Sequence, residues 1–189
     1  MKKTIFTLLL SLLLHFCFGQ GATLTKGETI AYLQKKLDET TQFKKCDFSK
    51  PDILNGEELE KIQTFSNLAI SINDNIVTLQ YTYRELWKWS KNGIKDEKDR
   101  GETQISISFN PSAIKSIERH NIRDPKSDVQ RMFIFLAYDV PFKEDGKTTK
   151  SSLFTFPYYD ADPQNGSRIE KAFLHLKDLL KAEGDPFDN

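Results

Sequence analysis

Hydrophobic residues change their spacing twice along this chain. In "LTKGETIAYLQKKLDETTQ", residues 24–42, Ile30, Leu33 and Leu37 recur at i, i+3 and i+7, the interval of one helical face. Thr25 and Glu28 stand at capping-box spacing just ahead of that run. The segment predicts a helix that is apolar on one side and lies on something. Residues 44–65 carry no clear period. Pro51 and Asn55-Gly56 mark turns, and "EELEKI" reads as a helical turn or as a charged edge.

From residue 66 the period becomes two. Leu68, Ile70 and Ile72 share a face, and "NDN" turns the chain. Val77, Leu79, Tyr81, Tyr83, Trp87 and Trp89 then share one face, with Thr78, Gln80, Thr82, Arg84 and Lys88 on the other. Alternation of this kind predicts a half-buried antiparallel hairpin. "SKNGIKDEKDRGE" is dense in charges of both signs and reads as a solvated hairpin loop. Alternation resumes through Ile105, Ile107 and Phe109. "NPSA" is a turn, and Ile114 and Ile117 mark a short strand. "RMFIFLAYDVPF" is nearly all apolar, which predicts a central strand covered on both faces. "DGK" is a loop and "SSLFTFPYY" a last strand.

The final segment returns to the helical period. Ile169, Ala172, Phe173, Leu176, Leu179 and Leu180 form a continuous apolar face. Ser167 and Glu170 have capping-box spacing, Gly184 sits where a C′ glycine belongs, and Pro186 prevents continuation. Helix, about six antiparallel strands, then a capped amphipathic helix predict an α+β fold. Its expected form is a curved, barrel-like antiparallel sheet with a helix on one opening.

The N-terminus changes the expected compartment. Lys2 and Lys3 precede an apolar run from Ile5 to Phe18 that is shorter than the roughly 20 residues a membrane helix needs. This is the pattern of a secretory signal peptide, taken as residues 1–20, with a single α+β domain over 21–189. His15 and Phe16, ahead of Cys17, argue against a lipid anchor there. Gly19, Gly21 and Ala22 suit an ordinary signal peptidase. The expectation is a periplasmic or secreted protein with no transmembrane segment in its mature chain. Loss of Cys17 leaves Cys46 alone, so no intramolecular disulfide can form and stability must come from the core. Losing Lys2 and Lys3 turns a balance of 27 basic and 27 acidic residues into 25 against 27. That lacks the basic excess of nucleic-acid binding.

From "TQISISFNPSAIKSIERH" through "KAFLHLKDLL" the chain resembles a pleckstrin-homology-like (PH-like) domain of small uncharacterised exported bacterial proteins. The likeness lies in element order and hydrophobic pattern over residues 66–183, with the first helix as an addition. Family members that bind phosphoinositides cluster Lys and Arg in an early hairpin loop. Here residues 91–102 set Lys91, Lys95, Lys98 and Arg100 against Asp96, Glu97, Asp99 and Glu102, so that ligand does not carry over. The resemblance implies a fold and no particular activity.

Catalytic and metal motifs are not found in the sequence. Counting Asp160 as position one of a calcium loop puts Asn165 at six and Lys171 at twelve, so that register fails. Zinc ligands reduce to His120, His175 and Cys46, far apart in sequence. No metal, cofactor or catalytic residue is assigned. His175 falls beside the apolar stripe of its helix and is expected at the surface. The aromatic row is most simply core. However, a strand over residues 76–89 exceeds the roughly 10 residues usual for strands, so its end is expected to pass beyond the sheet. Trp87 and Trp89 are therefore the candidate ligand-binding residues. The expected function is non-catalytic binding of a protein, glycan or apolar ligand at the cell envelope. The alternative is a small hydrolase using His120 with Glu118 and Asp124.

Overall fold

The computed structural model describes residues 24–42, 46–47, 57–91, 94–119, 129–160 and 162–184. Residues 1–20 with Cys17, for which a signal peptide is expected, the expected turns at Pro51 and Asn55-Gly56, and His120 and Asp124 lie outside the described residues. Among the described residues, two helices, α1 (Lys26–Gln42) and α2 (Asn165–Gly184), accompany seven strands. These are β1 (Cys46–Asp47), β2 (Glu57–Asn73), β3 (Ile76–Lys91), β4 (Ile94–Phe109), β5 (Ile114–Arg119), β6 (Val129–Glu144) and β7 (Lys147–Tyr159). All pairings are antiparallel, in the order β1-β2-β3-β4-β6-β5, with β7 also pairing β6. The sheet curls into a half-barrel, so the α+β class and curved antiparallel sheet read from the sequence are found.

Three hairpins connect the long strands through two residues each, because Asn73 pairs Ile76, Lys91 pairs Ile94 and Glu144 pairs Lys147. Asp74, Asn75, Asp145 and Gly146 have positive φ (46°, 64°, 47° and 77°). That is the backbone a two-residue turn needs to match strand twist, and Asx and Gly adopt it most readily. The predicted loop "SKNGIKDEKDRGE" is therefore mostly strand. Its charges lie along β4, which is exposed from residue 94 to 102. Its pairing with β3 slips by one residue near Gly101 (φ 85°), a β-bulge. Asp99 accepts the Gly101 N–H and pairs with Arg84. The Arg84 hydrogen bond is the main reason the Asp99 carboxyl titrates below its ordinary range. Charge on an edge strand blocks further strand pairing, which explains why so polar a stretch is extended.

β6 corrects another expectation. It is central in pairing, since residues 132–136 hold β5 while 142–144 hold β4, and β7 runs along the other side. Only one face is fully covered. Met132, Ile134 and Leu136 are buried, whereas Phe133 and Phe135 are half-buried and Tyr138 is exposed. A curled single sheet has one interior, so its central strand cannot be dry on both sides.

α1 packs across β2 and β7 and touches α2. Its cap is as read. Thr25 N–H donates to Glu28 Oε2 (2.8 Å), and Glu28 N–H donates to Thr25 Oγ1 (3.3 Å). The backbone bond from Thr25 holds the Glu28 carboxyl below its usual pKa, with the Thr25 hydroxyl adding to it. β2 bulges between Ser66 and Ala69, where Asn67 takes φ 53°. Gln34 on α1 faces that bulge: its amide donates to Leu68 O (3.2 Å) and accepts from Ile70 N–H (2.8 Å). One side chain thus makes the two bonds that a neighbouring strand would have made.

α2 starts at Asn165, two residues before the predicted Ser167 cap. The entry turn is set by Asp162, whose Oδ1 accepts Gln164 N–H (2.9 Å) and whose carbonyl accepts Asn165 N–H (2.8 Å). Ile169, Phe173, Leu176 and Leu180 are buried, and Phe173 meets Phe156 edge-on with centroids 5.2 Å apart. His175 is half-buried, not free at the surface, with Nε2 2.6 Å from Leu24 O.

Candidate ligand-binding cleft

The same side of β3 that carries Val77 and Leu79 into the core carries Tyr81, Tyr83, Glu85, Trp87 and Trp89 onward. β2 does not stop short of the two tryptophans, as the hydrophobic pattern suggested. It runs back to Glu57 and pairs Phe65 with Tyr83, Gln63 with Glu85, Lys61 with Trp87 and Leu59 with Trp89. β4 follows on the other side, with Lys98 opposite Trp87 and Asp96 opposite Trp89. The arm beyond Tyr83 is thus three-stranded and two-sided, and both indoles are half-buried.

At the base of this arm a cleft of about 200 Å³ opens among β2, β3, β4, β6 and β7. Phe65, Tyr81, Tyr83, Ile105 and Phe142 give it aromatic and aliphatic walls, and Gln63, Arg131, Glu144 and Thr155 contribute the polar groups. Phe65 packs edge-on to Tyr81 (5.8 Å) and tilted to Tyr83 (6.5 Å). The Tyr81 hydroxyl is 3.1 Å from Thr155 Oγ1, tying β3 to β7 across the cleft. Burial pushes the Tyr81 phenol up, so it stays a neutral hydrogen-bonding group.

A polar chain leads from the cleft to the arm. Arg131 donates to Gln63 Oε1, Gln63 Nε2 donates to Glu85 Oε2 (2.6 Å), and the Trp87 indole N–H donates to Glu85 Oε1. Both Glu85 oxygens are used, which is how a carboxylate in an aromatic row avoids an uncompensated charge. The Trp87 ring also carries two cations, Lys61 Nζ at 4.9 Å and the Arg100 guanidinium at 4.8 Å from its centre. Attraction of this kind is worth about 0.5–1 kcal/mol at exposed sites and fixes the indole plane.

The sequence-predicted residues are therefore divided. Trp87 is wired to the cleft, while Trp89 lies one alternation further out. Glu118 is exposed on β5, and its proposed partners lie outside the described residues. Gln63, Arg131, Glu144 and Thr155 were not singled out by sequence. The one available signal was Glu85, a carboxylate in register with aromatics. The cleft lining holds no imidazole and no thiol. Among the described residues no group of three or more His, Cys, Asp or Glu is placed to hold a metal ion, and no helix is long and apolar enough to cross a membrane. Compared with protein-family models, curated proteins and solved structures, the chain matches none.

Proposed function

We propose that the chain is an exported, non-catalytic binding module of PH-like architecture whose cleft takes a small apolar ring. The observation that carries this is the convergence of Phe65, Tyr81, Tyr83, Ile105 and Phe142 around about 200 Å³, with Gln63, Arg131, Glu144 and Thr155 set among them. Sites for small molecules have this make-up, apolar walls with a small number of placed polar groups. An apolar cavity of about 150 Å³ already accepts benzene. Trp87 and Trp89 extend the contact surface outward, and the Glu85–Gln63 chain couples Trp87 to occupancy of the cleft. A curled antiparallel sheet followed by one terminal helix is the element order that the PH-like resemblance implies.

Titration with p-cresol or indole, followed by amide resonances, tests the reading. Residues 63–65, 81–83 and 142 are expected to shift together. With p-cresol as the probe, Trp87 emission is expected to change. Phe142→Trp narrows the cleft and should weaken binding by at least about tenfold, whereas Ile94→Ser at the far end of the arm (Ile94 is 74% exposed) should leave it unchanged. Resonances that stay still up to the solubility limit of both probes would sink the proposal. Export is checked separately by the mass of the purified exported protein. The mature chain is expected to begin between Gln20 and Thr23 without lipid, and a diacylglyceryl mass on Cys17 would place it on a membrane surface instead.

A further inference from the structure

The other face of β3 carries different chemistry. Gln80 and Thr82 point away from the aromatic row, and cross-strand pairing lines Gln80 up with Ser106 on β4 and Lys143 on β6. Thr82 pairs Gln104, and Asn67, held at φ 53° by the β2 bulge, reaches Thr82 from the other side. These six side chains and Gly146 line a groove of about 380 Å³, within the roughly 300–1,000 Å³ of small-molecule sites.

Its composition narrows what it can hold. Three carboxamides and two hydroxyls both donate and accept, and Lys143 is the only charged side chain in the lining. Their internal bonds are at the long limit, 3.4 Å from Asn67 Nδ2 to Thr82 Oγ1 and 3.5 Å from Gln80 Nε2 to Ser106 Oγ. Groups so weakly paired with one another keep most of their hydrogen-bonding capacity for a third partner. The groove is framed by backbone. Gln104 N–H donates to Asp145 Oδ1 (2.8 Å) and Asp145 N–H donates to Gln104 O (3.0 Å), which fixes the β6–β7 turn beside it. Apart from the edges of Tyr81 and Ile105 there is no apolar subsite for a peptide side chain. Vicinal hydroxyls, which also donate and accept, match this lining, and a carboxylate matches Lys143.

We propose that this groove binds a hexuronate unit of an acidic saccharide, with Lys143 on the carboxylate and the Asn67, Gln80 and Gln104 amides on the ring hydroxyls. The groove adjoins the aromatic cleft at Tyr81 and Ile105, but none of the side chains assigned to the sugar lines that cleft, and the proposal stands without it. Glucuronate and glucose are titrated into the full chain while the side-chain amide resonances of those three residues are followed. Glucuronate is expected to bind about tenfold more tightly than glucose, the margin of one charge-assisted over one neutral hydrogen bond. Lys143→Gln should bring glucuronate down to the level of glucose. Ser106→Phe should block both sugars, while an unchanged thermal melt shows that the sheet is intact. If neither sugar moves the resonances, the groove is not a saccharide site. If acetate binds as well as glucuronate, only a carboxylate is being read and the proposal fails. Retention of glucuronate by Ser106→Phe in a folded protein places binding elsewhere and overturns it too.

Discussion

Phe173→Ala should destabilise the protein by about 3–5 kcal/mol, the usual cost of deleting a fully buried phenyl. Phe173 is completely buried and sits edge-on to Phe156, which is buried as well. It lies mid-helix among Ile169, Ala172 and Leu176, all buried. A cavity there is bounded by sheet on one side and helix on the other, so little can collapse into it. Against a total stability of about 5–15 kcal/mol the loss is large. It corresponds to a melting temperature lower by roughly 6–20 °C for a chain of this size. A variant that melts with the parent would mean that α2 is not part of the cooperative unit.

Gly166→Ala is expected to destabilise, against the ordinary rule for helices. Alanine in place of glycine gains up to about 1 kcal/mol in a helix interior, and Gly166 lies in the first turn of α2, where the gain is smaller. A Cβ at this position would stand 2.9 Å from the Tyr158 hydroxyl oxygen, 3.0 Å from Arg119 Cδ and 3.1 Å from Tyr158 Cζ. Arg119 is exposed and can swing aside. Tyr158 is only 3% exposed and cannot. Burial, with Asp160 nearby, also pushes its phenol up to about 12, so the hydroxyl is neutral and no charge repels the newcomer. The conflict is steric, and overpacking of this kind costs about 1–3 kcal/mol. Urea denaturation of Gly166→Ala should therefore show a net loss. Adding Tyr158→Phe removes the nearest atom and should recover part of it. A Gly166→Ala protein more stable than the parent would show that Tyr158 yields easily.

The helices and the core strands were legible because their apolar spacing has one physical reading. Leu33 and Leu37, or Val77 and Leu79, can be buried together only on a helix face or a strand face respectively. The arm was not legible. "IKDEKDRGE" has the composition of a solvated loop, and it is extended because β3 supplies one row of backbone partners while its own charges protect the other. Asn92-Gly93 was the clue, since a two-residue connection leaves the residues after it nowhere to go but alongside β3. The cleft was hidden for a different reason. Gln63, Arg131 and Thr155 belong to three strands separated by 68 and 24 positions, and only the curl of the sheet brings them together. No local pattern records a meeting of that kind. The start of α2 was misplaced because Asp162 and Ser167 are both plausible caps, and the choice between them depends on how β7 delivers the chain.

The clasp between the two ends of the described chain has a consequence for the order of folding. Lys26 reaches Glu183 (2.7 Å) and His175 reaches Leu24 O (2.6 Å), contacts between residues 157 and 151 positions apart. α1 also needs β7 as its floor. α1 therefore waits for β7 and α2 before its apolar stripe is covered, and a helix in a protein draws most of its stability from packing such a face. Contacts that close so large a loop form slowly. That delay leaves the leading helix without its floor until the trailing strand and helix have been made.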